Sequence, residues 1–130
     1  MTADFDWVAA RNECSVLSMF ARLAMMAETN VSTRKRQMQA AGHGVELMFV
    51  RAGDTFGVTR GTVGASGRYI TFSHTEDAIF ISDGDGTLLY TATLALNDEG
   101  QCRIRLDGAE PPLEPWQVLR RALEDVLFGA

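Results

Sequence analysis

Apolar positions from Phe5 to Ala27 recur at helical spacing, but along two stripes rather than one. The first stripe runs through Phe5, Val8, Val16, Met19, Phe20, Leu23, Met26 and Ala27. The second runs through Trp7, Ala10, Cys14, Leu17, Ala21 and Ala24. A thin polar seam, Arg11, Ser15, Ser18 and Arg22, separates them. The pattern predicts a long helix that starts near Thr2 or Asp4, either of which can cap it, and reaches about Thr29. An ordinary surface helix buries a face roughly 100° wide. This one carries more apolar surface than a flat sheet covers, so either a curved sheet wraps it or one stripe meets a second copy. A whole apolar stripe left bare on a monomer is the kind of patch that marks an interface. The candidate interface is therefore the second stripe: Trp7, Ala10, Cys14, Leu17, Ala21 and Ala24.

Asn30 and Ser32 predict a break in the helix. Thr33–Ala41 then reads either as a second short helix or as a continuation, stopped by Gly42.

From Val45 the period changes from helical to two. Strands are expected over Val45–Ala52, Thr55–Thr62, Arg68–His74, Ala78–Ser82, Thr87–Leu96 and Gln101–Leu106. Short turns link most of them: Gly53-Asp54, Asp83-Gly84-Asp85-Gly86 and Asn97–Gly100. Gly61, Gly64 and Gly67 make the link after the second strand loose. Hairpin connections imply an antiparallel sheet, most simply a meander. On the last strand Cys102, Ile104 and Leu106 should face the core, while Arg103 and Arg105 face out beside Thr91 and Thr93.

The stretch Glu110-Pro111-Pro112-Leu113-Glu114-Pro115 can be neither helix interior nor central strand. Pro115 fits a first helical position. Trp116, Leu119, Leu123, Val126 and Leu127 then form the apolar face of a C-terminal helix that Gly129 ends. The expectation is one α+β domain over residues 1–130: a long N-terminal helix, about six antiparallel strands in a meander, and a C-terminal amphipathic helix.

Composition narrows the class. The chain is 46% hydrophobic and 22% charged, which is globular rather than disordered. A net charge of −5 argues against a nucleic-acid partner gripped through phosphates. Between Glu76 and Glu110 the acids Glu76, Asp77, Asp83, Asp85, Asp98, Glu99, Asp107 and Glu110 face only the bases Arg103 and Arg105. The apolar run Val16–Ala27 is interrupted by Ser18 and Arg22 and is too short to span a bilayer. Cys14 and Cys102 are expected as reduced, buried, small apolar residues. With acidic first residues and no leader pattern, the reading is a cytoplasmic protein without a membrane partner.

Candidate chemistry is sparse. His74 ends a strand beside Thr75, Glu76 and Asp77, where a histidine with neighbouring carboxylates can act as a general base. Arg103 and Arg105, two guanidiniums on a rigid sheet face, can grip a carboxylate or phosphate. The three are the candidate ligand-binding residues. Asp83-Gly84-Asp85-Gly86-Thr87 has the look of a calcium loop, but the twelfth position is Leu94, which cannot coordinate. No metal, cofactor or catalytic set is expected.

The leading functional expectation is a non-catalytic protein-interaction module, adaptor- or chaperone-like, acting as a homodimer and partnering another protein. Small size, a low isoelectric point and an amphipathic C-terminal helix are broadly similar to bacterial type III secretion chaperones. Those proteins place a helix in the middle of their strands, and this chain has none there. The alternative is a small-molecule binder with an apolar pocket between helix and curved sheet, lined by Met19, Met25, Met26, Met38 and Met48. The third reading is an enzyme centred on His74.

Overall fold

A computed structural model describes residues 4–44, 46–61 and 68–129. The expected helix start at Thr2, the strand start at Val45, the strand end at Thr62 and the links through Gly64 and Gly67 lie outside the described residues. The element order is α1 (Trp7–Glu13), α2 (Val16–Ala40), β1 (Leu47–Ala52), β2 (Thr55–Arg60), β3 (Arg68–His74), β4 (Ile79–Asp83), β5 (Leu88–Leu96), β6 (Cys102–Leu106) and α3 (Pro115–Phe128).

The expected N-terminal helix is two helices. Asp6 caps α1, its carboxylate accepting from the Ala9 N–H at 3.0 Å. The chain leaves helical geometry at Cys14 and Ser15, and Ser15 restarts it by accepting from the Ser18 N–H at 3.2 Å. A residue read from sequence as part of a polar seam is thus an N-cap. Such a cap stabilises a helix by about 1 kcal/mol. The break expected at Asn30 and Ser32 does not occur, and α2 runs unbroken to Ala40. Val31 and Met38 are buried, so packing on the sheet holds the helix through its poor helix formers.

The strands form a six-stranded sheet in the order β1-β2-β3-β4-β5-β6, every neighbour antiparallel. The meander expected from the hairpin turns is therefore present, and it is open: β1 and β6 are its two edges. A register shift between Ile81 and Ser82 interrupts the β4–β5 ladder. On the inner face Leu47, Phe56, Val58, Ile70, Phe72, Ile79, Ile81, Ala92, Ile104 and Leu106 are buried. They meet Met19, Phe20, Leu23, Ala27 and Val31 of α2 and Val118, Leu119, Leu123 and Val126 of α3 in one hydrophobic cluster. Both helices thus lie on one side of the sheet, which gives two layers. At the centre Phe56 stacks on Phe72 with ring centroids 4.4 Å apart, and Phe20 tilts against Phe56 at 5.1 Å.

Three arginines from three elements converge on the C-terminus of α3. Arg34 of α2 donates from Nε to the Leu127 carbonyl at 2.9 Å. Arg60 of β2 reaches the Val126 carbonyl at 3.2 Å, and Arg68 of β3 the Asp125 carbonyl at 2.8 Å. The last carbonyls of a helix run short of intrahelical partners and carry the negative end of its dipole, so cations there are stabilising; the Asp125 carbonyl also accepts the Gly129 N–H at 2.8 Å. Arg34 also lies over the Phe128 ring, 4.1 Å from its centre.

The two sheet edges differ. After β6, Asp107 (φ 54°) and Gly108 (φ 73°) adopt left-handed conformations that turn the chain back. Leu113 then forms a bridge to Ile104, with both Ile104 N–H to Leu113 carbonyl and the reciprocal bond in place. The 109–114 segment therefore covers the β6 edge. Nothing comparable covers β1 among the described residues.

The cysteines contradict the expectation that both are reduced: they form a disulfide, Cα to Cα 5.2 Å, across 88 positions. It ties the joint between α1 and α2 to the start of β6.

Candidate functional site

The expected interface stripe does not survive as one surface. Cys14 is 3% exposed within the disulfide and Ala24 is 1% exposed in the core. Ala10 and Ala21 are half-buried, while Trp7 and Leu17 stand at 63% and 70% exposure. The joint at Cys14–Ser15 separates Trp7 and Ala10 of α1 from Leu17, Ala21 and Ala24 of α2. Within α2 the stripe passes from Leu17, exposed in the first turn, to Ala24 in the core.

The exposed apolar surface lies elsewhere. Helix α1 has no buried residue, yet it and its approach carry Phe5, Trp7 and Val8, all strongly exposed. The Phe5 ring rests on Gly100 in the β5–β6 turn, where a Cβ would collide with it. An open groove of about 390 Å³ runs between α2 and α3 on the side away from the sheet. Leu119, Leu123 and Leu127 line its floor, exposed Trp116 and Phe128 line its length, and Arg34 and Arg120 are among its polar residues. On the outer sheet face Met48 and Val50 of β1 are exposed, as are Tyr69 and Leu89. Sequence periodicity could not find these surfaces, because each joins residues of different elements.

His74 packs its ring against Phe20 at 4.4 Å, at the edge of the core below the start of α2. It lines an open cleft of about 440 Å³ with Ser15, Val16, Leu17, Thr75 and Glu76. The Ser15 hydroxyl in that cleft already accepts the Ser18 N–H, and Thr75 accepts the Asp77 N–H at 3.3 Å. No hydrogen bond ties His74 to Glu76 or Asp77. The geometry holds an aromatic contact and not an acid–base pair.

Arg103 and Arg105 face outward as expected. Their cross-strand partners are Ala95 and Thr93, one step along from the expected Thr91 and Thr93. Both guanidiniums engage the covering segment or its neighbours. Arg105 Nε donates to Glu110 Oε1 at 2.6 Å. Arg103 donates to Gln101 Oε1 at 2.6 Å and lies 3.6 Å from Glu114. They help to hold the 109–114 segment over the β6 edge.

The Asp83 turn is a hairpin. Asp83 Oδ1 accepts from the Asp85 and Thr87 N–H groups, each at 2.9 Å, so that oxygen is turned onto its own loop. Among the described residues no group of three metal-ligating side chains converges, and no helix is long and apolar enough to cross a membrane. The methionines do not share a pocket: Met19 and Met38 are in the core, Met26 borders it, and Met25 and Met48 are exposed.

Comparison with known proteins returned no match to a family model, a curated protein or a solved structure.

Proposed function

We propose that this chain is a non-catalytic protein-interaction module that acts as a homodimer. The observation that carries the reading is the exposed apolar surface, above all α1, a helix that buries none of its residues while Trp7 and Val8 stand bare. A monomer rarely leaves several large apolar surfaces open, and such patches mark binding sites for other protein. The α2–α3 groove adds a second docking surface, with the apolar floor and aromatic flanks that accept a partner helix.

Sedimentation velocity over a micromolar concentration series tests the reading. The expected result is a monomer–dimer equilibrium that shifts to dimer as concentration rises. A single monomeric species at every concentration overturns the homodimer.

The cysteines support a reading of the compartment. A disulfide persists in oxidising surroundings and is uncommon in a reducing cytoplasm. The Cys14–Cys102 link therefore favours an oxidising compartment over the cytoplasmic one expected from reduced thiols. Thiol trapping in the native host tests this: free cysteines at steady state would restore the cytoplasmic assignment.

A further inference from the structure

We infer that two copies of the chain join through the β1 edge, antiparallel, with Phe49 of one copy opposite Phe49 of the other. The inference rests on the homodimer reading above and locates the contact at β1, whereas α1 is tied through Cys14–Cys102 to the opposite, β6 side of the sheet.

The backbone of β1 has one side satisfied and one side open. The Gly61 N–H donates to the Glu46 carbonyl at 3.0 Å, so Glu46 and Gly61 are a hydrogen-bonded pair. Bonded and non-bonded pairs alternate along an antiparallel ladder. Met48 and Val50 therefore turn their backbone groups toward β2, where Thr59 and Gly57 lie opposite. Leu47, Phe49 and Arg51 turn theirs away from the sheet. Among the described residues no hydrogen bond reaches the outward groups of these three. Their neighbours in the strand keep a continuous register with β2, and no proline, lysine or bulge blunts the edge. Proteins usually protect such an edge, and here the opposite edge is protected by Leu113 on Ile104.

The strand is complementary to itself in one register. With Phe49 on the two-fold axis, Phe49 pairs with itself and Leu47 pairs with Arg51 of the second copy. All three outward residues then exchange both backbone groups, giving about six hydrogen bonds. Any other symmetric register leaves at least one of the three unpaired or sets Arg51 against itself, which like-charge repulsion penalises. The same register places exposed Met48 beside exposed Val50 of the second copy on the outer face. These form non-hydrogen-bonded pairs, in which side chains approach most closely. On the inner face the half-buried Phe49, which already meets Phe56 at 5.7 Å, gains a second Phe49.

Charge agrees with this choice of edge. From Glu46 to Ala52 the charged residues are Glu46 and Arg51, so the strand is neutral. The acid-rich stretch Glu76–Glu110 belongs to the β4–β6 side of the sheet. Pairing at β1 keeps the two acidic halves apart, whereas pairing at β6 would bring them together.

The test uses Arg51→Pro. Proline at position 51 deletes an outward N–H and no bond to β2, and the Arg51 side chain is exposed, so the substitution spares the pairing with β2. Sedimentation of the full-length chain should then show self-association weakened roughly tenfold or more relative to wild type, with unchanged circular dichroism. If the folded variant dimerises as well as wild type, β1 is not the surface, and the homodimer reading stands without it. If wild type is itself a monomer, both fall. A second experiment decides if Arg51→Pro does not fold. Met48→Cys and Val50→Cys chains are mixed and oxidised, and intermolecular disulfides are mapped by peptide digestion. A 48–50 cross-link formed in the mixture well above self-cross-linking of either variant supports the register. Equal cross-linking in the single variants, or none in the mixture, overturns it.

Discussion

Cys14 and Cys102, 88 positions apart, are joined covalently at the point where α1 turns into α2 and β6 begins. The bond ties a helix with no fully buried residue to the edge of the core. Just ahead of α1, Phe5 rests on Gly100 in the β5–β6 turn.

Removing that link should cost stability far more than removing an ordinary buried side chain of the same size. In the chain-entropy model a closed loop of this length restricts the unfolded state by about 4.6 kcal/mol. Cys14→Ser with Cys102→Ser should lower the free energy of urea unfolding by roughly that amount. Wild type with reductant should match the double variant. Equal stability with and without reductant would show that the thiols are not joined in solution.

Leu17 and Ala24 share a stripe of α2 but not an environment, one exposed in its first turn and the other in the core. Leu17 is exposed, so Leu17→Ser should change stability by no more than about 0.5 kcal/mol. Ala24 sits in the core, and Ala24→Leu should destabilise by about 1–3 kcal/mol through overpacking. Denaturant midpoints of the two variants check this. Similar losses from both would mean that the stripe faces one environment.

The arginines at the end of α3 stabilise the domain through its helix layer. Arg60 is half-buried, and Arg60→Ala leaves the Val126 carbonyl without its charged donor at the end of a helix. A loss of about 1–2 kcal/mol is expected. Arg36→Ala, an exposed neighbour of Arg34 with only a long contact to Thr33, should be close to neutral. Thermal melts of both variants would separate a docking role from general surface charge.

Leu113 seats the segment that covers β6. Leu113→Pro removes the donor to the Ile104 carbonyl and should raise the exchange rate of the Ile104 amide, which bonds to Leu113 in return. A loss of about 1–3 kcal/mol accompanies it. An Ile104 amide equally protected in the variant would show that the segment does not cover the edge.

Much of the architecture was legible from periodicity. The switch from helical to two-residue spacing near Val45 marks the start of the sheet. Asp83–Gly86 and Asn97–Gly100 close hairpins whose side-chain acceptors, Asp83 and Asn97, bond their own turns. Local chemistry decides those features, so local sequence reports them. The disulfide, the arginine cluster and the covered edge were not legible, because each joins residues far apart in the chain. The break at Ser15 was hidden for another reason. Apolar spacing continues across it, and a serine in a polar seam looks the same as a serine that caps. For Arg103 and Arg105 the direction was readable and the partners were not, since the carboxylates they hold lie beyond the strand.

The most direct measurement is amide hydrogen exchange of β1 at dilute and at high protein concentration. Leu47, Phe49 and Arg51 amides should exchange freely when dilute and become protected as concentration rises. Met48 and Val50 amides, already bonded toward β2, should stay protected at both. If the Phe49 and Arg51 amides exchange at the same rate at every concentration, the β1 edge does not pair and the dimer proposed here is contradicted.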